Sequence, residues 1–300
     1  MELWIPLAVA AAFFQNIRSA MQKHLQGRLS TLGAAYVRFL YALPFAFVYL
    51  AGILIYSDQP VPDVNATFLL YGLFGGICQI AFTVFLLWLF SFHNFAVGTT
   101  FSKLETIMVA IFGLLLLGDG LTPVVVMAIC LSSIGLIVLS AGQSKLSLSG
   151  LLAGFFRMPT LIGLACASWL GLSVVFHRAA SLSLGLDDYF LSAAFTLFVV
   201  LLMQTVVMGL RMFLRDKADF MKVLIYWRPA VAVGFFAALT SIGWFTAFTL
   251  QNATYVRALG QIELVFTFVA TLFFFREKIT RLEYVGIALI IGSIVMILSG

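Results

Sequence analysis

Apolar runs of about twenty residues follow one another almost without pause along these 300 residues, and each is long enough to cross a bilayer as a helix. In hydrocarbon every backbone N–H and C=O must be satisfied within the protein, which leaves helices or a closed barrel. The runs show no period-two alternation, and that excludes the barrel. The composition fits a membrane protein: 63% hydrophobic, 10% charged and a mean hydropathy of +1.11, too few charges for a soluble surface. The sequence therefore predicts an all-α integral membrane protein. Ten spans are expected, near residues 3–22, 32–56, 67–91, 94–117, 122–141, 160–181, 188–213, 229–251, 254–275 and 281–299. They divide as a five-helix unit over 1–142, a linker over 143–159 and a second five-helix unit over 160–300.

Residues 94–122 and 252–280 align without a gap. The alignment places Asn94 on Asn252, Ser102 on Gly260, Glu105 on Glu263, Asp119 on Glu277 and Thr122 on Thr280. Two units of five spans each, an odd number, must lie in the membrane in opposite senses. Inverted repeats of this kind build secondary transporters, with the site between the repeats. A carboxylate within a span is costly and marks a functional position by default, so Glu105 and Glu263 are the first site candidates.

Loop charge sets an orientation. Lys23, Arg28, Arg211, Arg215, Lys217, Lys222 and Arg228 all follow odd-numbered spans, whereas Asp58, Asp63, Asp187 and Asp188 follow even-numbered ones. The positive-inside rule then puts both termini outside the cytoplasm. The net charge of +5 sits in loops facing anionic lipid, and no basic run interleaved with aromatics suggests nucleic acid. Cys78, Cys130 and Cys166 are read as buried packing residues without metal spacing, and no cofactor is expected. The opening Met1-Glu2-Leu3-Trp4 lacks a basic leader and reads as a direct entry into the first span.

The chain resembles the EamA-type branch of the drug/metabolite transporter superfamily. The resemblance rests on Tyr36-Val37-Arg38-Phe39, on Gly118-Asp119-Gly120-Leu121-Thr122 and its partner Arg276-Glu277-Lys278-Ile279-Thr280, on Gly286 and Gly292, and on the five-plus-five repeat. It implies ten helices around a central cavity that opens alternately to either side. Spans three, four, eight and nine would line that cavity, with one and six. It also implies transport of amino acids, nucleotide sugars, sugar phosphates, drugs or other metabolites, and a bacterial inner membrane as the location. Such proteins usually keep both termini in the cytoplasm; the loop charges here argue the reverse, and the charge reading is adopted.

Beside the glutamates, Ser102 and Gln261 are small or polar neighbours suited to a ligand. Glu105 is expected on one helical stripe with Gly98, Phe101, Ser102 and Val109. Lys103 cannot face Glu105 on the same helix, since two residues turn it by about 200°. It must point to another helix or snorkel. Lys103, Arg257, Arg18 and Arg38 are the cations able to pair the glutamates or to take a carboxylate or phosphate. Gln79 with Thr83, and Thr240 with Trp244, form polar faces of spans three and eight that suit cavity walls. Gln15, Asn16, Ser19 and Gln22 do the same in span one. His24, His93 and His177 are placed near span ends. Gly72–Gly76 and Gly150–Gly154 fit a small-xxx-small pattern, for helix contacts or, more weakly, a homodimer.

The function expected from these residues is secondary active transport of a small organic metabolite by alternating access, coupled to protons or another ion through the glutamates. An amino acid, another zwitterion or an amine is favoured as substrate. The alternative within the class is an exchanger of phosphorylated metabolites or anions held by Lys103 and Arg257. From another class, a non-transporting scaffold or receptor is the rival. No HExxH, GxSxG or phosphate-loop motif supports an enzyme.

Overall fold

The computed structural model describes residues 2–25, 28–89, 101–144, 158–273 and 279–299. Among these residues all regular structure is helical. Thirteen helices run in chain order: α1 (Trp4–Leu25), α2 (Thr31–Leu40), α3 (Leu43–Ser57), α4 (Ala66–Leu89), α5 (Glu105–Leu117), α6 (Pro123–Ser144), α7 (Met158–Ser183), α8 (Tyr189–Arg215), α9 (Lys217–Ile225), α10 (Trp227–Leu250), α11 (Ala253–Gly260), α12 (Ile262–Phe273) and α13 (Arg281–Ser299). Among the described residues, eight stretches are long and apolar enough to cross a membrane. α5 is a shorter apolar helix, and α1 holds the polar set from Gln15 to Gln22. Large apolar side chains cover the outside of the bundle; Ile55 is 83% and Leu115 72% exposed, as a lipid-facing surface requires.

Local chemistry explains the boundaries. Ser30 caps α2 by accepting from the Gly33 N–H at 3.0 Å. Asp188 caps α8 through the Phe190 and Leu191 amides. Asn252 caps α11 through the Thr254 amide at 2.8 Å. Gly118 ends α5 with φ 68°, a left-handed conformation that glycine adopts without steric cost.

Lipid supplies no hydrophobic drive between helices, so packing rests on close contact of small residues. α6 lies along α13 so tightly that a Cβ on Gly286 would come within 2.5 Å of the Leu139 nitrogen. The other main pairs are α1 with α10, α4 with α7, α5 with α7, and α3 with α8. The α1–α10 and α4–α7 pairs exchange when span one is mapped on span six and span three on span eight. Gly72 and Gly76 face Val200, Met203 and Gln204 of α8, so this small-residue stripe serves an internal contact.

Several expectations need correction. Span two is two helices, with a break at Tyr41-Ala42 against which α10 closes at Gly234. Spans four and nine are not continuous helices either. Lys103-Leu104 forms a turn before α5, and Gln261 forms one between α11 and α12. The stripe through Phe101, Ser102, Glu105 and Val109 is therefore interrupted. The charged segment 211–228 is largely helical, as the end of α8, α9 and the start of α10. Cys130 is exposed on the outer face, whereas Cys78 and Cys166 are buried. Trp4 is buried and Trp88 is 42% exposed. Gly98, His93, Gly150–Gly154, residues 145–157 of the expected linker and Arg276-Glu277-Lys278 lie outside the described residues.

Candidate functional site

The two helix breaks occupy matching positions in the aligned segments, and each is followed within two residues by a glutamate. Glu105 opens α5 and Glu263 stands in the first turn of α12. A helix start presents free N–H groups and the positive end of its dipole, which favours a carboxylate there. Both glutamates are buried, at 3% exposure.

Each carboxylate is claimed by a cation from the other segment. Arg257 of α11 pairs with Glu105, and Lys103 pairs with Glu263. The acids sit at equivalent positions but their partners do not: Gln261 aligns with Lys103, and Thr99 with Arg257. Gln261 instead donates to Thr106 Oγ1 at 2.8 Å, a third tie between the segments.

α1 supplies the frame for Glu263. Gln15 Nε2 donates to Glu263 Oε2 at 2.5 Å, and Asn16 Nδ2 to the Glu263 carbonyl at 2.9 Å. The Gln15 carbonyl accepts from Trp244 Nε1 at 2.9 Å, which orients the indole. Trp244 stacks on Phe248 with ring centroids 5.7 Å apart, and the Arg257 guanidinium lies 4.7 Å from the Trp244 ring centre. Gly260 leaves the space the indole occupies; a Cβ there would meet Trp244 at 2.8 Å.

Two adjoining cavities share Gln15, Arg18 and Phe82. One, about 120 Å³, holds Ser102, Lys103, Glu105 and Glu263. The other, about 40 Å³, is lined by Arg38, Gln79, His177, Ser241, Trp244 and Arg257 as well as apolar side chains. Both are polar and roomy enough for ordered water but not for a metabolite. The helices must part to admit one.

Of the residues expected at the site, Glu105, Glu263, Ser102, Lys103, Arg257, Trp244 and Gln79 line these cavities. Gln261 lies beside them through Thr106. Thr240 does not: it is buried and donates to the Phe236 carbonyl at 2.7 Å, one turn back in its own helix. Gln79 is engaged by Gln204 at 2.8 Å. His177 stands in the last two turns of α7, at 2% exposure, its ring 4.7 Å from Phe245 and its Nε2 unpaired. The helix face that buries it is set by packing. Arg178, beside it, donates to the Phe248 and Gln251 carbonyls that close α10, and Asp119 of the acidic turn stands 3.7 Å away. Among the described residues, no cluster of His, Cys, Asp and Glu could hold a metal ion.

The buried ion pairs and the adjoining polar cavities lie within a bundle of membrane-length helices, the setting in which secondary transporters hold their sites. Residues 2–141 match the EamA-like transporter family. The first part of the chain thus carries an EamA-like domain, of the drug/metabolite transporter superfamily, and the whole is a multi-pass membrane protein whose family match is to transporters of small solutes. Among solved structures it is similar to a protein crystal structure at 14% identity and a TM-score of 0.70, covering 98% of this chain and 94% of that one. That likeness bears on the fold alone. No curated protein sequence matches the chain.

Proposed function

We propose that the protein is a secondary carrier that moves a small organic metabolite through the central cavity by alternating access, with the two glutamate–cation pairs as its coupling element. The observation that carries the reading is the crossed pairing. Lys103 with Glu263 and Arg257 with Glu105 tie the segment 101–117 to the segment 253–273 in both directions. Parting those segments would strand four charges in a low-dielectric core, at several kcal/mol per ion. A proton on a glutamate removes one charge and weakens the tie. Glu263 faces Lys103, Gln15, Asn16 and Arg18, and Glu105 faces Arg257, so protonation would release a cation in each case. Solute binding and proton binding then act on the same element.

The support for an amine or ammonium substrate is reduced by this geometry, because a cationic group would have to displace Lys103 or Arg257 to reach a carboxylate. A scaffold or receptor has no need of a polar cavity crossed by ion pairs. Reconstitution tests the reading. Liposomes containing the protein should accumulate at least one solute from a panel of amino acids, dicarboxylates, amines and phosphate esters, above protein-free liposomes and in proportion to an imposed pH gradient. A protein that moves none of them, under any gradient, is not the carrier described.

A further inference from the structure

We infer that Arg18 and Arg38 form the recognition site for a small organic anion, with a dicarboxylate or a phosphate monoester as the charge-matched case. The inference rests on the carrier reading above and adds the substrate class. Lys103 and Arg257, the cations expected from the sequence to bind an anion, are spent on the glutamates. Arg18 and Arg38 are not. Among the described residues neither has a carboxylate within ion-pair distance.

Both guanidiniums are buried, at 4% and 7% exposure, and both line the smaller cavity. Arg18 makes one long bond, to Ser19 Oγ at 3.3 Å, while its Nε and Nη1 have no partner. Arg38 donates to Thr83 Oγ1 at 3.1 Å, a neutral acceptor. Four cations thus surround two carboxylates. Guanidinium does not shed its proton at ordinary pH, and a buried charge without a counter-ion is strongly unfavourable. Two adjacent ones are tolerated where the missing charge arrives with a ligand. Guanidinium forks suit the planar or tetrahedral oxygens of carboxylate and phosphate.

The remaining walls say what the rest of the solute is. Trp244, Phe245, Phe248 and Leu170 face the same space and would cover a short carbon body. Gln79, Ser241 and His177 offer neutral polar contacts. Arg18 also lines the glutamate cavity, so an anion drawn to it lies beside the Lys103–Glu263 pair. Substrate binding and coupling would then meet at one side chain.

The test uses purified full-length protein in detergent and in liposomes at fixed ionic strength. The probes are succinate, glycerol 3-phosphate and benzoate as anions, phenylalanine as a zwitterion and putrescine as a cation. The expected result is thermal stabilisation and uptake with succinate or glycerol 3-phosphate, and neither with putrescine; which of the two acts distinguishes carboxylate from phosphate. Arg18→Gln and Arg38→Gln should each raise the melting temperature of the ligand-free protein, because an uncompensated charge is gone. Each should weaken the anion response at least about tenfold. Arg18→Lys should keep part of the response, and the wild-type solute preference stands even where a variant fails to fold. Uptake of putrescine or phenylalanine without any anion response overturns the inference and leaves the carrier reading intact. An anion response unchanged in folded Arg18→Gln and Arg38→Gln protein overturns it as well. No uptake of any probe by the wild type removes the carrier reading, and this inference with it.

Discussion

Glu105 and Glu263 hold the same position in two aligned segments, open helices at the same kind of break and are equally buried, yet they are held differently. Glu105 meets Arg257 in a sealed pair, both side chains at 4% exposure, with the Trp244 ring against the guanidinium. Glu263 meets Lys103, whose side chain is 29% exposed, and is also held by Gln15. Both pairs border the polar cavities, but the first is closed by a fully buried cation, whereas the second has a part-exposed cation and a second donor in place. Similar sequence positions thus give one carboxylate held by a buried cation alone and one held by a part-exposed cation and a neutral amide. The difference comes from α1, which frames only Glu263.

The comparison breaks most sharply at Arg257. Arg257→Gln leaves Glu105 charged, buried and unpaired, and should cost about 3–5 kcal/mol, read as a large fall in melting temperature in detergent. If it melts like the wild type, Glu105 is not sealed. Lys103→Gln should cost less, about 1–3 kcal/mol, because Gln15 still donates to Glu263. Equal losses in the two variants would erase the proposed asymmetry. Gly286→Leu would force α13 off α6 at Leu139 and should destabilise by about 1–3 kcal/mol without altering which solute is carried. Thr240→Val, away from the cavity, should change uptake by less than about twofold, since its hydroxyl is bonded within its own helix. A tenfold loss there would return Thr240 to the site. The loop-charge orientation has its own check: a cysteine placed at Ser299 should react with an impermeant thiol reagent from the non-cytoplasmic side, and labelling from the cytoplasm would reverse it.

Much of this arrangement was legible in the sequence. Apolar run length dictates helices in a membrane. The gapless alignment picks out Glu105 and Glu263, but a helical rotation of about 200° from Lys103 to Glu105 requires a continuous helix, which the turn at Lys103-Leu104 breaks. What periodicity could not show is the crossing of the pairs, because Lys103 and Arg257 come from positions that do not align. The breaks were not expected; spans four and nine read as continuous. Gly260 sits beside one of them, but Lys103-Leu104 has no glycine or proline to mark it. Arg18 and Arg38 stood out as cations within spans, yet their shared cavity, and His177's place in it, depend on how α1, α2 and α7 pack. No single-helix pattern carries that information.

The most direct test of the coupling claim is proton movement in liposomes loaded with a pH-sensitive dye and challenged with succinate or glycerol 3-phosphate. The wild type should shift internal pH in step with solute uptake, and Glu105→Gln/Glu263→Gln should abolish that shift. Solute-driven proton movement that persists in the double variant would show that the crossed glutamate pairs are structural ties and not the coupling element.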